Sequence, residues 1–116
     1  MNDSFGHATG DEVLRRSVQV AQNELRAIDF IDRYGREEFL LVLTHTGIDG
    51  ASECAERVRV QTERTGFTVA GHARHVTVSI GVAQYRRGES LQAMVERADA
   101  ALYRAKAGGR NLIELE

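Results

Sequence analysis

The sequence contains one cysteine and no long hydrophobic run, and both features limit the class of protein. The single thiol, Cys54, cannot form an internal disulfide, which predicts a reducing compartment and hence a cytoplasmic location. No apolar stretch approaches the length of about 20 residues that spans a bilayer. The first residues lack the basic and apolar regions of a signal peptide. We therefore expect a soluble protein without membrane contact.

An excess of basic charge is also lacking. The formal net charge is -2 and the pI is near 6.1, which argues against a nucleic-acid or anionic-membrane binder. The 116 residues are 42% hydrophobic and 28% charged, as is ordinary for a globular protein. With no internal repeat or linker-like composition, residues 1–116 are predicted to form one domain.

The first half of the chain predicts a helix and a β-hairpin. The residues from Thr9 to Glu12 match a capping box at a helix N-terminus. Apolar residues then follow on one helical stripe: Leu14, Val18, Ala21 and Leu25. The alternating segment 28–34 and the apolar segment 39–43 predict two strands that meet at Gly35 and Arg36.

The second half predicts a similar order with a final strand. Asp49 is the expected cap of a second helix, whose buried side would be Ala51, Cys54, Ala55 and Val58. Segments 67–71 and 75–85 predict a second hairpin around the polar sequence "HAR". Ser90 would cap a third helix that ends at Gly108, with its inward residues being Leu91, Met94, Val95, Ala98, Leu102 and Ala105. Residues 111–115 complete an α/β sandwich with helices on a largely antiparallel sheet.

The first hairpin turn carries two adjacent carboxylates, Glu37 and Glu38, directly after Gly35 and Arg36. The simpler interpretation is an exposed turn with hydrated carboxylates. The alternative is a metal site, because Mg²⁺ takes one or two carboxylates together with substrate phosphates. The residues alone leave both interpretations open.

Other charged groups allow two interpretations as well. Arg26 and Asp29 have the spacing of an i,i+3 ion pair, or of an arginine fork that an aspartate orients towards phosphate. Lys106 and Arg110 suit a helix C-terminus, but both cations could hold a triphosphate. Asp11, together with Asn2, could bind a guanine edge or be an ordinary first-turn acid. No single group decides between these readings.

Several segments together resemble the GGDEF family of diguanylate cyclases. "NDSFGHATGD" resembles the family's N-D-x-x-G-H-x-x-G-D segment, and "RAID" resembles its R-x-x-D inhibitory site. "RYGREEFLLVL" resembles the signature hairpin. "AERVR", "VTVSIGVA" and "ADAALYRAKAGGRN" match in the same order, so the resemblance covers essentially the whole chain.

The resemblance implies a fold like nucleotidyl cyclase and polymerase palm domains. It also implies synthesis of cyclic di-GMP from two GTP in a dimer, assisted by Mg²⁺ or Mn²⁺. By the matched positions, Glu37 and Glu38 would be the catalytic and metal carboxylates. Four residues would bind the nucleotide: Asn2, Asp11, Lys106 and Arg110. Three residues would form the separate cyclic di-GMP site: Arg26, Asp29 and Arg57.

Two departures from the family pattern bear on activity. Position 36 is Arg where the signature has a second glycine, which lets the backbone approach the nucleotide closely. The family's first core strand, with an aspartate metal ligand, precedes the segment where this sequence begins. We therefore expect a partial domain that has little or no cyclase activity.

The function predicted from these residues is binding of cyclic di-GMP at the R-x-x-D site. One alternative is an active diguanylate cyclase, because Glu37, Glu38, Lys106 and Arg110 are all present. A second alternative is a GTP-sensing or dimerising domain that regulates an attached domain. The expected partners are cyclic di-GMP, GTP, and a second subunit or an attached regulatory domain.

Overall fold

Helices alternate with short strands along the chain. The structure, a computed structural model, describes residues 6–35, 37–69 and 71–116. In this part the elements are α1 (Gly6–Asn23), β1 (Phe30–Arg33), β2 (Phe39–Val42), α2 (Ile48–Arg64), β3 (Gly66–Val69), β4 (His72–His75), β5 (Ile80–Val82), α3 (Leu91–Ala107) and β6 (Ile113–Leu115). The predicted alternation is confirmed, with one strand more than the sequence indicated.

The described strands pair in three ladders of two strands each. β1 and β2 are antiparallel with Phe30 opposite Val42, and β3 and β4 are antiparallel. β5 and β6 are parallel, with Ile80 opposite Ile113. The parallel pair follows from helix α3, which supplies the long crossover that parallel neighbours need. Two of the three ladders are therefore antiparallel, in agreement with the predicted fold class.

Strand β5 lies between two helices. Ile80 packs against the cluster of Cys54 and Val58 on α2. A Cβ atom on Gly81, the next residue, would lie 2.1 Å from the carbonyl oxygen of Ala98 in α3. Because successive strand residues point to opposite faces, α2 and α3 cover opposite faces of the β5–β6 pair. This layering is that of the predicted α/β sandwich.

The larger core cluster joins α1, α2 and the first hairpin. Its buried members are Ala21, Cys54 and Val58. Partly buried side chains pack around them: Leu25, Ile31, Leu41, Leu43 and Ile80. The inner face predicted for α2 is confirmed at Cys54, Ala55 and Val58, so the free thiol is a core group.

The start of α1 differs from the prediction. The helix begins at Gly6, which places Thr9 inside the helix and not at its N-cap. Glu12 does not complete a capping box, because its carboxylate pairs with Arg15 at 2.6 Å and with Arg16 at 3.0 Å. These i,i+3 and i,i+4 pairs stabilise the exposed side of the helix.

The start of α2 also differs. Its N-cap is Gly47, so Asp49 lies in the first turn and the predicted Asp49 cap is wrong. The amide of Ile48 donates instead to Oε1 of Gln84 at 3.0 Å. A side chain from the loop after β5 thus satisfies a helix N-terminus that its own neighbours leave uncapped.

The second hairpin has a different register from the prediction. The polar segment His72–His75 is itself the second strand, paired with Gly66–Val69. The β-branched segment that follows contributes β5, whose partner is β6. Pairing with a strand about 30 residues later is a long-range contact that the local pattern does not encode.

The predicted ends of helix α3 agree with the structure better than its predicted inward residues do. Ser90 caps it, because Oγ accepts from the amide of Ala93 at 3.0 Å. Leu91 is 61% exposed and not inward as predicted, whereas Ala101 and Ala105 are fully buried. Among the helices of the described residues, none has the length and hydrophobicity needed to cross a membrane.

Candidate functional site

The segment from Arg26 to Asp29 forms a turn between α1 and β1. The amide of Asp29 donates to the carbonyl of Arg26 at 3.0 Å, and the amide of Arg26 donates to Asp29 Oδ2 at 2.9 Å. The guanidinium of Arg26 binds the same carboxylate through Nε at 3.1 Å and Nη2 at 3.0 Å. The i,i+3 ion pair is therefore present, and its two parallel bonds are those of an arginine fork.

The end of β2 completes the surroundings of Arg26. Nη2 donates to the carbonyl of Thr44 and to Oγ1 of Thr46, both at 2.6 Å. The amide of Thr44 also donates to Asp29 Oδ1 at 3.2 Å. The guanidinium is therefore fixed from two directions, by the turn and by the end of β2.

Neither threonine belongs to a motif that the sequence makes visible. The hairpin register explains their position. Because Phe30 pairs with Val42, the residues that precede β1 lie opposite the residues that follow β2. Thr44 Oγ1 donates to the carbonyl of Ile28 at 3.1 Å. Extending the predicted strand 39–43 by one residue would have placed Thr44 beside the R-x-x-D turn.

The Asp29 carboxylate is almost fully buried, whereas its partner remains accessible. The side chain of Asp29 is 3% exposed and that of Arg26 is 53% exposed. The hydrogen bond from Arg26 is the main cause that lowers the pKa of Asp29 to about 2, helped by the backbone amides of Arg26 and Thr44 and opposed by burial. The same hydrogen bond raises the pKa of Arg26. The guanidinium of Arg26 is thus exposed at the turn, and the carboxylate of Asp29 that pairs with it is buried.

The lowered pKa of Asp29 predicts a contribution to stability at neutral pH that acid removes. The ordinary pKa is 3.8 and the folded value is about 2, so the contribution is complete above about pH 4 and is lost as pH falls towards 2. We expect Asp29→Asn to lower the urea midpoint at pH 7 and to approach the wild-type midpoint near pH 2. Asp99→Asn, an exposed change on α3, is the matched control at pH 7. An Asp29→Asn deficit that persists unchanged at pH 2 would contradict the assignment.

Arg57 brings a second guanidinium to the same corner. Its Nε donates to Glu24 Oε2 at 3.2 Å, and the carbonyl of Glu24 accepts a weak bond from the Cys54 thiol. Burial raises the pKa of Cys54, and Arg57, Asp29, Glu24 and Arg26 also influence it. Arg26, Asp29 and Arg57, which the family resemblance assigns to one cyclic di-GMP site, thus all act electrostatically on the same thiol.

The carboxylate turn lies at the tip of the β1–β2 hairpin. The amides of Tyr34 and Gly35 donate to the carbonyl of Glu38 at 3.0 and 3.2 Å and close the turn. Glu37 is exposed and Glu38 is half-buried, with Oε1 folded back towards Gly35. Arg36 lies outside the described residues. The two neighbouring carboxylates therefore occupy different environments.

The donor set of this turn suits a hard divalent cation only in part. Glu37 and Glu38 offer the carboxylate oxygens that Mg²⁺ takes alongside substrate phosphates. Within residues 6–35, 37–69 and 71–116, no three His, Cys, Asp or Glu side chains form a cluster that could hold a metal.

An open cavity of about 420 Å³ separates α1 from the first hairpin. Its walls combine charged and apolar side chains from three elements: Asp11, Leu14, Arg15, Val18, Ile31, Asp32, Arg33 and Phe39. Asp11, a predicted guanine contact, is thus an exposed residue in the wall of this cavity. Asn2, its predicted companion, lies outside the described residues.

Lys106 and Arg110 lie at the C-terminal end of α3. The amide of Gly108 donates to the carbonyl of Arg104 at 2.8 Å, and that of Arg110 donates to the carbonyl of Ala105 at 3.0 Å. The second is a 6→1 bond around Gly109, which has a positive φ, and both cations are exposed. Helix α3, whose C-terminal end carries both cations, packs on β5 and β6.

The fold and its charged groups define a palm-like α/β domain. The profile of the family described as "Diguanylate cyclase, GGDEF domain" matches residues 1–112. The chain belongs to the GGDEF family, and it is homologous to diguanylate cyclases of cyclic di-GMP signalling. The resemblance drawn from the sequence is therefore confirmed.

Named relatives agree in sequence and in fold. The chain is 44% identical to the response regulator PleD of Caulobacter vibrioides over 117 residues, which is 97% of this chain and 26% of PleD. The diguanylate cyclase SiaD of Pseudomonas aeruginosa, solved with its activator SiaC, is 41% identical with a TM-score of 0.93 over 99% of this chain and 44% of SiaD. The GGDEF domain of DgcB from Caulobacter crescentus, solved with cyclic di-GMP, is 35% identical with a TM-score of 0.90 over 98% of this chain and 68% of that one. The chain thus spans about a quarter of PleD, and the predicted palm-like fold is confirmed.

Proposed function

We propose that this GGDEF domain binds cyclic di-GMP at the corner formed by Arg26, Asp29 and Arg57, and that it has little or no cyclase activity. The observation that supports the proposal best is the fixed guanidinium of Arg26. Its bonds to described residues use Nε and Nη2, which leaves the Nη1 edge for a ligand. A cation that is already ordered loses little side-chain entropy when it binds phosphate.

The chemistry of the corner suits a compact ligand with two phosphodiester anions. Arg57 lies on a different element from Arg26, so a ligand that contacts both must bridge α2 and the turn after α1. Arg57 is paired with Glu24, and a phosphate would replace that carboxylate as its partner. The solved complex of DgcB with cyclic di-GMP supports the choice of ligand.

Calorimetric titration tests the proposal. Cyclic di-GMP is expected to give a saturable heat of binding, because the guanidinium groups are exposed and ordered. Cyclic GMP, which carries one phosphate, is the matched ligand control and should bind much more weakly. The same protein is incubated with GTP and Mg²⁺ or Mn²⁺, and little or no cyclic di-GMP should form. Failure to detect cyclic di-GMP binding would contradict the proposal. Rapid formation of cyclic di-GMP from GTP would contradict the expected lack of cyclase activity.

Binding of GTP is a second candidate, favoured by the cavity beside Asp11. In that case Asp11 and Asn2 would contact guanine, and Lys106 and Arg110 would hold the phosphates. Glu37 and Glu38 would supply carboxylate oxygens to Mg²⁺ or Mn²⁺, which would polarise the phosphates when bound. Arg36 replaces the signature glycine, and its bulk supports GTP sensing over synthesis. A homodimer or an attached regulatory domain would receive the signal.

A further inference from the structure

The turn that follows α3 is held by side chains from distant parts of the chain. Nη1 of Arg59, on α2, donates to Asn111 Oδ1 at 3.1 Å. The side-chain amide of Asn111 donates to the carboxylate of Glu63, also on α2. The backbone amide of Asn111 donates to Ser79 Oγ at 3.1 Å. A single asparagine therefore connects the helix, the approach to β5 and the turn.

This turn has an unusual backbone. Gly109, Arg110 and Asn111 have φ angles of 119°, 64° and 51° in succession. The left-handed region is costly for residues with a Cβ atom, and asparagine tolerates it better than arginine. Residues with a Cβ atom keep this conformation only where the surrounding structure holds them. They are more frequent at ligand-binding positions than elsewhere. The bonds made by Asn111 supply that fixation next to Arg110.

Arg59 is itself held in place. Its side chain is 19% exposed, and both Nε and Nη2 donate to Glu56. The hydrogen bonds that Arg59 donates to Glu56 are the main cause that raises the pKa of Arg59. The remaining nitrogen, Nη1, is the one that reaches Asn111. Arg59 therefore connects α2 to the turn through an ordered side chain, and it is not a mobile surface cation.

We propose that Arg59 is a positioning residue for polyphosphate binding. By holding Asn111, it fixes the left-handed turn that presents the guanidinium of Arg110 beside Lys106 to the phosphates of a nucleoside triphosphate. This inference rests on the GTP-binding part of the proposed function and is independent of the cyclic di-GMP corner. In this arrangement Arg59 affects triphosphate binding only through Arg110.

A double-mutant cycle measured with inorganic triphosphate tests this assignment. Arg59→Gln is expected to weaken triphosphate binding about three- to tenfold, since coupled neighbours commonly interact at that level. In an Arg110→Ala background the same change should have no further effect, because the group that Arg59 positions has been removed. Arg64→Gln, an exposed change on the same helix, is the matched control and should leave the affinity near that of the wild type.

Three outcomes would overturn the inference: unchanged affinity in Arg59→Gln, additive losses in the double variant, or no triphosphate binding by the wild type. If Arg59→Gln fails to fold, Asn111→Gly takes its place, because glycine accepts the left-handed backbone but loses both side-chain bonds. Amide exchange across residues 108–112 should then be faster than in the wild type. Titration of the same wild-type protein with cyclic di-GMP shows separately whether the corner proposal holds.

Discussion

Replacing Arg26 with alanine is expected to weaken cyclic di-GMP binding about 100-fold or more, because truncation of one partner in a hydrogen-bonded charge pair has effects of this order. The change removes the proposed phosphate donor and also leaves the Asp29 carboxylate, 3% exposed, without its fork. The hydrogen bonds to Thr44 and Thr46 are lost at the same time. The measurement is the dissociation constant by calorimetry at matched pH and salt.

Two further variants separate lost binding from lost folding. Arg26→Lys keeps the positive charge but cannot form the planar fork, so it should restore only a small part of the affinity. Arg26→Ala combined with Asp29→Asn removes the buried charge as well, which should recover stability without recovering binding. Arg64→Ala, an exposed change on α2, is the control that should bind normally. Full affinity in a folded Arg26→Ala protein would place the ligand elsewhere.

Those parts of the fold that depend on neighbouring residues could be predicted from the sequence. Ser90 and Gly108 mark the ends of α3 because a cap and a C-terminal glycine act within one helical turn. The apolar segment after Gly35 gives β2 for the same local reason. The Arg26–Asp29 pair was also visible, since its members are three residues apart.

The contacts that sequence analysis missed join residues far apart in the chain. Gln84 binds the amide of Ile48 across 36 positions, and Arg59 reaches Asn111 across 52. No periodicity or cap signal specifies such partners, because they depend on how β5 and β6 pack against α2. Local patterns therefore indicated the candidate charged residues. The distant residues that hold them in place could be identified only from the three-dimensional structure.

The second large effect concerns the fold that supports both sites. Gly81→Ala is expected to destabilise the protein by about 3 kcal/mol or more, because overpacking at a rigid contact has costs of this order. The added Cβ would lie 2.1 Å from the carbonyl oxygen of Ala98 and 2.4 Å from the amide nitrogen of Leu102. Both are backbone atoms of α3, so no side-chain rotation can relieve the contact. Thermal unfolding should show a midpoint lowered by about 10 °C or more.

Gly10→Ala provides a control of opposite sign. Gly10 lies within α1, and a Cβ atom there would meet nothing within 4 Å among the described residues outside its own stretch of helix. Alanine is a better helix former than glycine, so this variant should be more stable by about 0.5–1 kcal/mol. Strand β5 and helix α3 form the packed surface that carries Lys106 and Arg110, so Gly81→Ala should also weaken triphosphate binding while Gly10→Ala should not. If Gly81→Ala unfolds at the wild-type temperature, β5 and α3 do not approach as closely as the structure shows, and the layering of the sandwich must be revised.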